Sequence, residues 1–388
     1  MGHEKLTKRE FIKQAALAAG VIGCGFSPLG YQTKGMNGYF NFSPTVLPPE
    51  IDKHTVEAKY YINTPKGLKC QLCPNECKIK ENEEGECRTR VNIKGKLFCF
   101  AYGNPCAIHI DPVEKKPLYH FQPGTDTFSI ATAGCNLACL NCQNWEISQT
   151  SPKKTRNYEL FPQEVVNQCL SNNCKSIAYT YTDPIVFYEY VYDSAIIAKE
   201  NNVKNILVSA GYINERPLRE WCKIIDAANI DLKSFSNEIY EMLNAGKLEP
   251  VLNTLKILKE ESAWLEITNL VVPSWTDDMD MIKKMCDWLL VNGFAEYPLH
   301  FSRFSPLYKL SHLSATPIST LNNARQIAIN AGLKYVYIGN VPGSDASNTY
   351  CPKCNKIVIN RIGYRINGFH ILNGKCAFCN AKINGVWN

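Results

Sequence analysis

From about Phe128 onward, the spacing of apolar residues switches back and forth between two periods. Short runs rich in β-branched and aromatic residues recur as "FSIAT" (128–132), "SIAYTYT" (176–182), "NILVSA" (205–210), "NIDLK" (229–233), "LEITNLVV" (265–272), "PLHFSRF" (298–304) and "KYVYIG" (334–339). Between them, apolar residues fall at helical spacing in "PQEVVNQCL", "VYDSAIIAKE", "IYEMLNAGKLEPVLNTLKIL", "MIKKMCDWLL" and "LNNARQIAINAG". Strand-like runs that alternate with amphipathic helical runs predict an α/β fold, with a parallel sheet and crossover helices. Seven such strands fit a partial or full (β/α) barrel, or an open doubly wound sheet. In each case ligands gather at the carboxyl ends of the strands. We assign residues 111–345 to this unit.

Upstream of it the pattern fades. Residues 27–60 carry Pro and Gly with little periodicity and read as a linker. Residues 7–24, "TKREFIKQAALAAGVIGC", have a basic start, an Ala/Gly-rich weakly apolar run and a small-residue ending. The start resembles a twin-arginine export signal with Lys8 at the first arginine position. Val21 to Cys24 resembles a lipoprotein cleavage box, which would make Cys24 a lipidated terminus. The other reading of residues 1–26 is an amphipathic helix that is never cleaved. Envelope attachment and a cytoplasmic location both stay open.

Composition narrows the function classes. The chain has 388 residues, 45% hydrophobic and 20% charged, which is a globular balance. The net charge of +6 is spread thinly, and no dense Lys/Arg run interleaves with aromatics. Nucleic acid is therefore not an expected partner. No stretch beyond the N-terminus is long and apolar enough to span a bilayer.

Eighteen cysteines change the picture most, because eleven fall into three tight groups. Such C-x-x-C spacing in a long chain reads as metal ligation, not as a disulfide framework. The remaining seven read mainly as small buried hydrophobes. At the C-terminal end, Cys351, Cys354, Cys376 and Cys379 form two C-x-x-C knuckles separated by 21 residues. Two thiolate pairs on β-rich hairpins suit a tetrahedral Zn²⁺, so residues 346–388 are expected to form a zinc ribbon. A redox C-x-x-C would not need a matching second pair. In the N-terminal cysteine-rich module, residues 61–110, Cys70, Cys73, Cys77 and Cys87 follow C-x₂-C-x₃-C-x₉-C. Four thiolates satisfy either zinc or an auxiliary Fe–S cluster, and the spacing does not choose.

The third group stops at three. Cys135, Cys139 and Cys142 follow the run "FSIATAG" directly, at the rim where ligands gather. Three thiolates can hold three corners of a [4Fe–4S] cube and leave one iron for a substrate or cofactor. This C-x₃-C-x₂-C run, with the β/α pattern after it, resembles the radical S-adenosylmethionine (SAM) superfamily. One departure is Asn141, where many members carry an aromatic residue. The resemblance implies that SAM chelates the open iron, and that one electron from the reduced cluster yields methionine and a 5′-deoxyadenosyl radical for hydrogen abstraction. It also implies SAM contacts at strand ends: Thr182 and Asp183 in "YTYTDP", Ser209 in "LVSAG", Asp231 and Lys233 in "IDLK", and His300 in "PLHFSRF". Asp183 is also suited to a strand-to-helix cap. His300 and Arg303 equally suit a satisfied core histidine and a surface arginine.

Longer stretches, "CQLCPNECKI", "DPVEKKPLYHF", "AGCNLACLNCQNWEIS" and "YVYIGNVPG…NTYCPKC", resemble the AmmeMemoRadiSam-system radical SAM enzymes, relatives of pyruvate formate-lyase activating enzymes. That resemblance implies SAM, a low-potential electron donor and an unknown substrate. The substrate is either a small molecule or a protein partner, with Memo-type or AMMECR-type association. In "DPVEKKPLYHF", Lys115, Lys116 and His120 are candidate substrate contacts on what reads as a solvated charged loop. Two other classes stay in view, an Fe–S/zinc electron-transfer protein without SAM chemistry and a radical SAM RNA modifier. An electron carrier would normally close its cluster with a fourth cysteine.

Overall fold

The computed structural model describes residues 51–387. The signal-like segment and the linker as far as residue 50 lie outside the described residues. The core is one eight-stranded sheet: β1 (Ala107–Pro112), β2 (Asp126–Ala131), β3 (Ser176–Tyr179), β4 (Lys204–Ser209), β5 (Ala227–Asp231), β6 (Trp264–Val271), β7 (Leu299–Arg303) and β8 (Val336–Gly339). The strands lie side by side in chain order, with β1 and β8 at the two edges. Strands β2 to β8 are parallel, and β1 runs antiparallel to β2. An open or partial barrel, not a closed one, is therefore what these strands form.

Each predicted strand is present, with shifted ends. The run "SIAYTYT" leaves the sheet after Tyr179, because Tyr181 takes a left-handed backbone (φ 65°) that a strand cannot hold. Strand β1 had no clear sequence signal. It is six residues long, ends in Pro and shows no alternation, with Asp111 its one buried residue. It also crosses the expected boundary at 110/111, so the module and the barrel share a strand.

Crossover helices cover one face: α1 (Pro162–Ser171), α2 (Tyr188–Glu200), α3 (Glu215–Cys222), α4 (Leu248–Glu260), α5 (Met279–Val291) and α6 (Ile318–Ala331). Their apolar stripes, including Val165, Val191, Trp221, Leu255 and Leu289, bury against Tyr179, Leu207, Ile230 and Ile267 of the sheet. Burying each large side chain this way contributes about 1.5–3 kcal/mol. The single helix expected over 239–258 is broken. A wide turn at Tyr240–Asn244 ends on Ala245 in the left-handed region (φ 55°), and α4 starts at Leu248. No described helix is long and apolar enough to cross a membrane.

The other face of the sheet is plugged by chain. Val113, Leu118 and Phe121 pack on Ala178, Ile206 and Ala227. Val386, near the C-terminus, pairs with Phe121. This corrects the reading of "DPVEKKPLYHF" as a solvated loop. Lys116 is buried and bonds Asp111 at 2.6 Å, and His120 is fully buried between Tyr337 Oη (2.5 Å) and the Asn384 carbonyl (2.6 Å). Only Lys115 keeps substantial exposure, at 45%. The sequence reading overlooked that one carboxylate, Asp111, binds both lysines.

The N-terminal module is two small antiparallel sheets, and one of them begins inside the expected linker with Val56–Glu57 paired to Phe98–Cys99. The module is tied to the barrel by a buried ion pair, Arg90 Nη2 to Glu189 Oε1 at 2.6 Å, and the same oxygen accepts from Lys59 N. At the other end, Thr349–Tyr350, Ile357–Ile362 and Arg365–Phe369 build the sheet of the tail. That sheet docks through Arg361 Nη2 on the Tyr119 carbonyl at 2.7 Å.

Removing one partner of a buried pair strands the other charge, at a cost of about 3–5 kcal/mol. Glu189→Ala should therefore lower the free energy of unfolding by an amount in that range. Glu159→Ala removes an exposed partner of Lys53 and should change stability by less than about 1 kcal/mol. Equal effects in chemical denaturation would show that Arg90–Glu189 is not what joins module to barrel.

Candidate functional site

The three-cysteine loop is pinned on all sides. Gly134, just before Cys135, has φ 105°, and a Cβ there would lie 2.6 Å from the Cys87 carbonyl oxygen, so only glycine fits. Asn136 Nδ2 donates to the Tyr212 carbonyl at 2.8 Å, and Asn144 Nδ2 to that of Tyr181 at 2.7 Å. The backbone of Ala138 and Leu140 donates to the carbonyls of Asn244 and Leu243 at 3.0 and 2.8 Å. The break at 245–246 is what allows this approach, since a Cβ on Gly246 would stand 2.7 Å from Leu137. Short polar side chains on a loop thus replace the partners a strand would have given its backbone.

Around these thiols the structure brings together most of the strand-end residues, in two pairs. Ser209 Oγ donates to Asp183 Oδ1 at 3.0 Å, and the same carboxylate accepts from Ile185 N (3.1 Å) and Ala210 N (2.9 Å). The cap expected of Asp183 is therefore realised. Ser209 Oγ also lies 3.3 Å from Oδ2, so both oxygens of this carboxylate are held. Lys233 Nζ bonds Asp231 Oδ2 at 2.9 Å. Thr182 Oγ1 donates to the Thr132 carbonyl at 2.8 Å, joining the β3 end to the cysteine loop. Burial pushes the Cys135 thiol up, and the Asp183 carboxylate adds to the shift. Burial also raises Cys139, while the Lys233 ammonium and the Asn244 amide pull it back. Buried thiols of this kind become thiolates when a metal centre compensates the charge.

His300 is placed otherwise. Its Nε2 meets Glu266 Oε2 at 2.7 Å, its ring lies against Tyr119 and Tyr337, and it is 1% exposed. Glu266 also accepts from the backbone of Tyr119 and His120 and from Trp264 Nε1. The reading as a satisfied core histidine matches this geometry, and the reading as a SAM contact does not. Arg303 Nε is likewise spent on the Thr316 carbonyl at 2.9 Å.

The cysteine groups differ in how closely their sulfurs gather. In the tail, Cys351 and Cys379 sulfurs are 3.6 Å apart, and those of Cys354 and Cys376 are 3.8 Å apart. All four lie within 4.8 Å of one another, the one such gathering of three or more ligands among the described residues. Tetrahedral bonds of about 2.3 Å give an edge of about 3.8 Å, so these thiols suit one ion. Cys135, Cys139 and Cys142 are not drawn together in this way, as suits thiolates that bind different irons. Beside Cys139, buried Asn244 has an amide with no other partner, a donor available to a thiolate or sulfide. These observations fit a cluster at the three-cysteine loop. Cys70, Cys73, Cys77 and Cys87 line one cavity of the N-terminal module.

Sequence reasoning missed Asn136, Asn144 and Asn244. The first two had a signal, since asparagines inside "CNLACLNCQNW" are suited to bond local backbone. Asn244 had none, because it lies a hundred residues away inside an apparently unbroken helical pattern.

A model of the radical SAM superfamily matches residues 129–288. An uncharacterized protein of Methanocaldococcus jannaschii is 44% identical over 321 residues, covering 82% of this chain and 96% of its own length. Pyruvate formate-lyase 1-activating enzyme of Escherichia coli K12 is 26% identical over 167 residues, 42% of this chain and 68% of that enzyme. Among solved structures, a domain of a pyruvate-formate lyase-activating enzyme from Bacteroides vulgatus matches with a TM-score of 0.37 and 15% identity, over 42% of this chain and 99% of that one. A radical SAM methyltransferase from Sphaerobacter thermophilus matches with a TM-score of 0.44 and 11% identity, over 56% and 67%. The chain belongs to the radical SAM superfamily: it is an enzyme of SAM-cleaving radical chemistry at an iron–sulfur cluster, with relatives among the pyruvate formate-lyase activating enzymes.

Proposed function

We propose that Cys135, Cys139 and Cys142 hold the [4Fe–4S] cluster, and that the chain acts as an AmmeMemoRadiSam-type enzyme abstracting hydrogen from a protein partner. One observation carries this reading. At the carboxyl ends of consecutive strands, three separated, partly buried thiols stand with the Asp183–Ser209 and Asp231–Lys233 pairs around them. When bound, the cluster supplies one low-potential electron that splits SAM into methionine and a 5′-deoxyadenosyl radical. The residues do the rest. Asp183 offers its carboxylate charge to the SAM ammonium, and Ser209 and the Ala210 amide fix its orientation. Lys233 offers a point charge to the SAM carboxylate, and Asp231, 37% exposed, offers acceptors to hydroxyl groups. Thr182 holds the rim of β3 against the cysteine loop, which keeps both sets of groups in register. A protein substrate is supported by the name of the Escherichia coli relative, which describes activation of another enzyme.

The same reading makes Cys351, Cys354, Cys376 and Cys379 a structural zinc site, and it leaves the envelope signal at residues 1–26 as a separate proposal of sequence alone.

Loss of one thiolate exposes or detaches an iron. Cys139→Ala should therefore abolish 5′-deoxyadenosine formation in anaerobic incubations with SAM and dithionite. Production at the wild-type rate would sink the ligand assignment.

Cys376→Ser should release about one zinc per chain and destabilise the tail, because metal binding and folding are coupled in such modules. Iron content should hold, measured by metal analysis of the reconstituted protein. Loss of iron in place of zinc would make the tail an Fe–S module.

A further inference from the structure

The N-terminal cysteines form a cradle whose geometry differs from that of the tail. Cys70, Cys73 and Cys77 lie along one hairpin connection between the strands Gly67–Cys70 and Lys78–Ile79, Cys87 comes from a separate turn, and all four line one cavity together with Arg90 and Asn136. Among the described residues only the tail's thiols are gathered within 4.8 Å of one another, so the cradle's four are held around a space instead of closing on a point. A single tetrahedral ion wants thiolates about 3.8 Å apart, whereas a cube binds each thiolate to a different iron and holds them farther apart.

The walls of the cavity point the same way. Arg90 is fully buried, and its Nε–H has no partner, although Nη1 and Nη2 are bonded to the Lys59 carbonyl and Glu189. A buried unpaired donor costs about 1–3 kcal/mol. Arg90 lines the same cavity as the four thiols and interacts with Cys70 and Cys87, so a sulfide or thiolate there could satisfy this donor.

The cradle abuts the radical site. Asn75, between Cys73 and Cys77, donates from Nδ2 to the Asn136 carbonyl at 2.8 Å, one residue beyond Cys135. Gly134, one residue before Cys135, is packed so tightly on the Cys87 carbonyl that a Cβ would stand 2.6 Å from it. Both sides of Cys135 therefore touch the loops that carry the cradle's thiols.

We propose that Cys70, Cys73, Cys77 and Cys87 bind a second [4Fe–4S] cluster, set directly against the loop of the radical-site cluster. The site itself stands on the cradle, and its role rests on the function proposed above. Exchange between the two moves one electron and no proton, one cube being oxidised as the other is reduced. A low-potential one-electron donor, dithionite in vitro, restores the pair.

The test uses the full chain, reconstituted anaerobically with iron and sulfide and then analysed for iron, sulfide and zinc. The Cys135→Ala/Cys139→Ala/Cys142→Ala variant should keep about four irons and about four sulfides, roughly half of the wild type. Its reduced form should give the electron paramagnetic resonance signal of one isolated cluster, whereas reduced wild type should show broadening from two interacting ones. A second variant, Cys73→Ala/Cys77→Ala, should retain about four irons and still cleave SAM with dithionite. A triple variant that holds no iron, in a chain carrying two zinc ions, would overturn the proposal. If the triple variant instead holds as much iron as wild type, the cradle stands and the assignment of the three-cysteine loop fails.

Discussion

The contact between the three-cysteine loop and the turn at 243–246 is the constraint on which the site depends. A loop that offers three thiols cannot also be a strand, so its backbone groups need partners from elsewhere. Leu243 and Asn244 supply two carbonyls, Tyr212 accepts from Asn136, and Tyr181 accepts from Asn144. Those partners stand at or beyond the carboxyl ends of β3, β4 and β5. Fixing the loop therefore also fixes the strand ends that carry Asp183, Ser209, Asp231 and Lys233. The backbone oddities follow from the same need. Gly134, Tyr181, Ala245 and Gly246 are where the chain bends sharply or approaches closely enough to make these bonds.

A second layer of polar contacts holds the attachments to the barrel, and it is buried, not superficial. Arg90 and Glu189 join the N-terminal module to α2, and Arg361 joins the tail to the Tyr119 carbonyl. Glu266 gathers His300, two backbone amides and the Trp264 indole on the sheet face away from the helices. Burial alone would push that carboxyl up, but His300 and the other donors outweigh it and its pKa is lowered. Satisfied this fully, such a cluster specifies how the 113–121 segment seats on the sheet. This face of the sheet thus combines a polar cluster around Glu266 with the apolar packing of Val113, Leu118 and Phe121, where a simple β/α barrel would be filled with branched aliphatic side chains.

Periodicity carried most of the fold, because seven strands and their helices obey the rule that buried faces repeat with the period of the element. It failed where another interaction took precedence. Strand β1 alternates too weakly to be seen, since it is a short antiparallel edge. The helix over 239–258 is broken because the backbone there is needed by another loop, a requirement that does not appear in local composition. The charges of "DPVEKKPLYHF" looked solvated because nothing local reveals that Asp111 will take both Lys115 and Lys116. At the site, the residues legible in sequence were those whose chemistry is unusual for a surface, namely clustered cysteines and strand-end carboxylates. The asparagines that position them were not legible, because an amide that bonds backbone carries no signature of what it will reach.

Cysteine spacing has the same kind of limit. It fixes how many thiolates a segment can offer, but not how far apart the fold will hold them. In the tail, two hairpins face each other directly, and nothing intervenes between Cys351 and Cys379 or between Cys354 and Cys376. In the N-terminal module three of the four thiols share one hairpin connection that is anchored to the barrel, with the Leu72 carbonyl bonded to Asn214 N and Asn75 bonded to the Asn136 carbonyl. Those anchors fix the hairpin against the barrel, and its three thiols and Cys87 line a cavity there. Two four-cysteine motifs in one chain therefore reach different geometries through what lies behind their turns. One of those anchors, Asn75 on the Asn136 carbonyl, also sets the N-terminal thiols against Cys135.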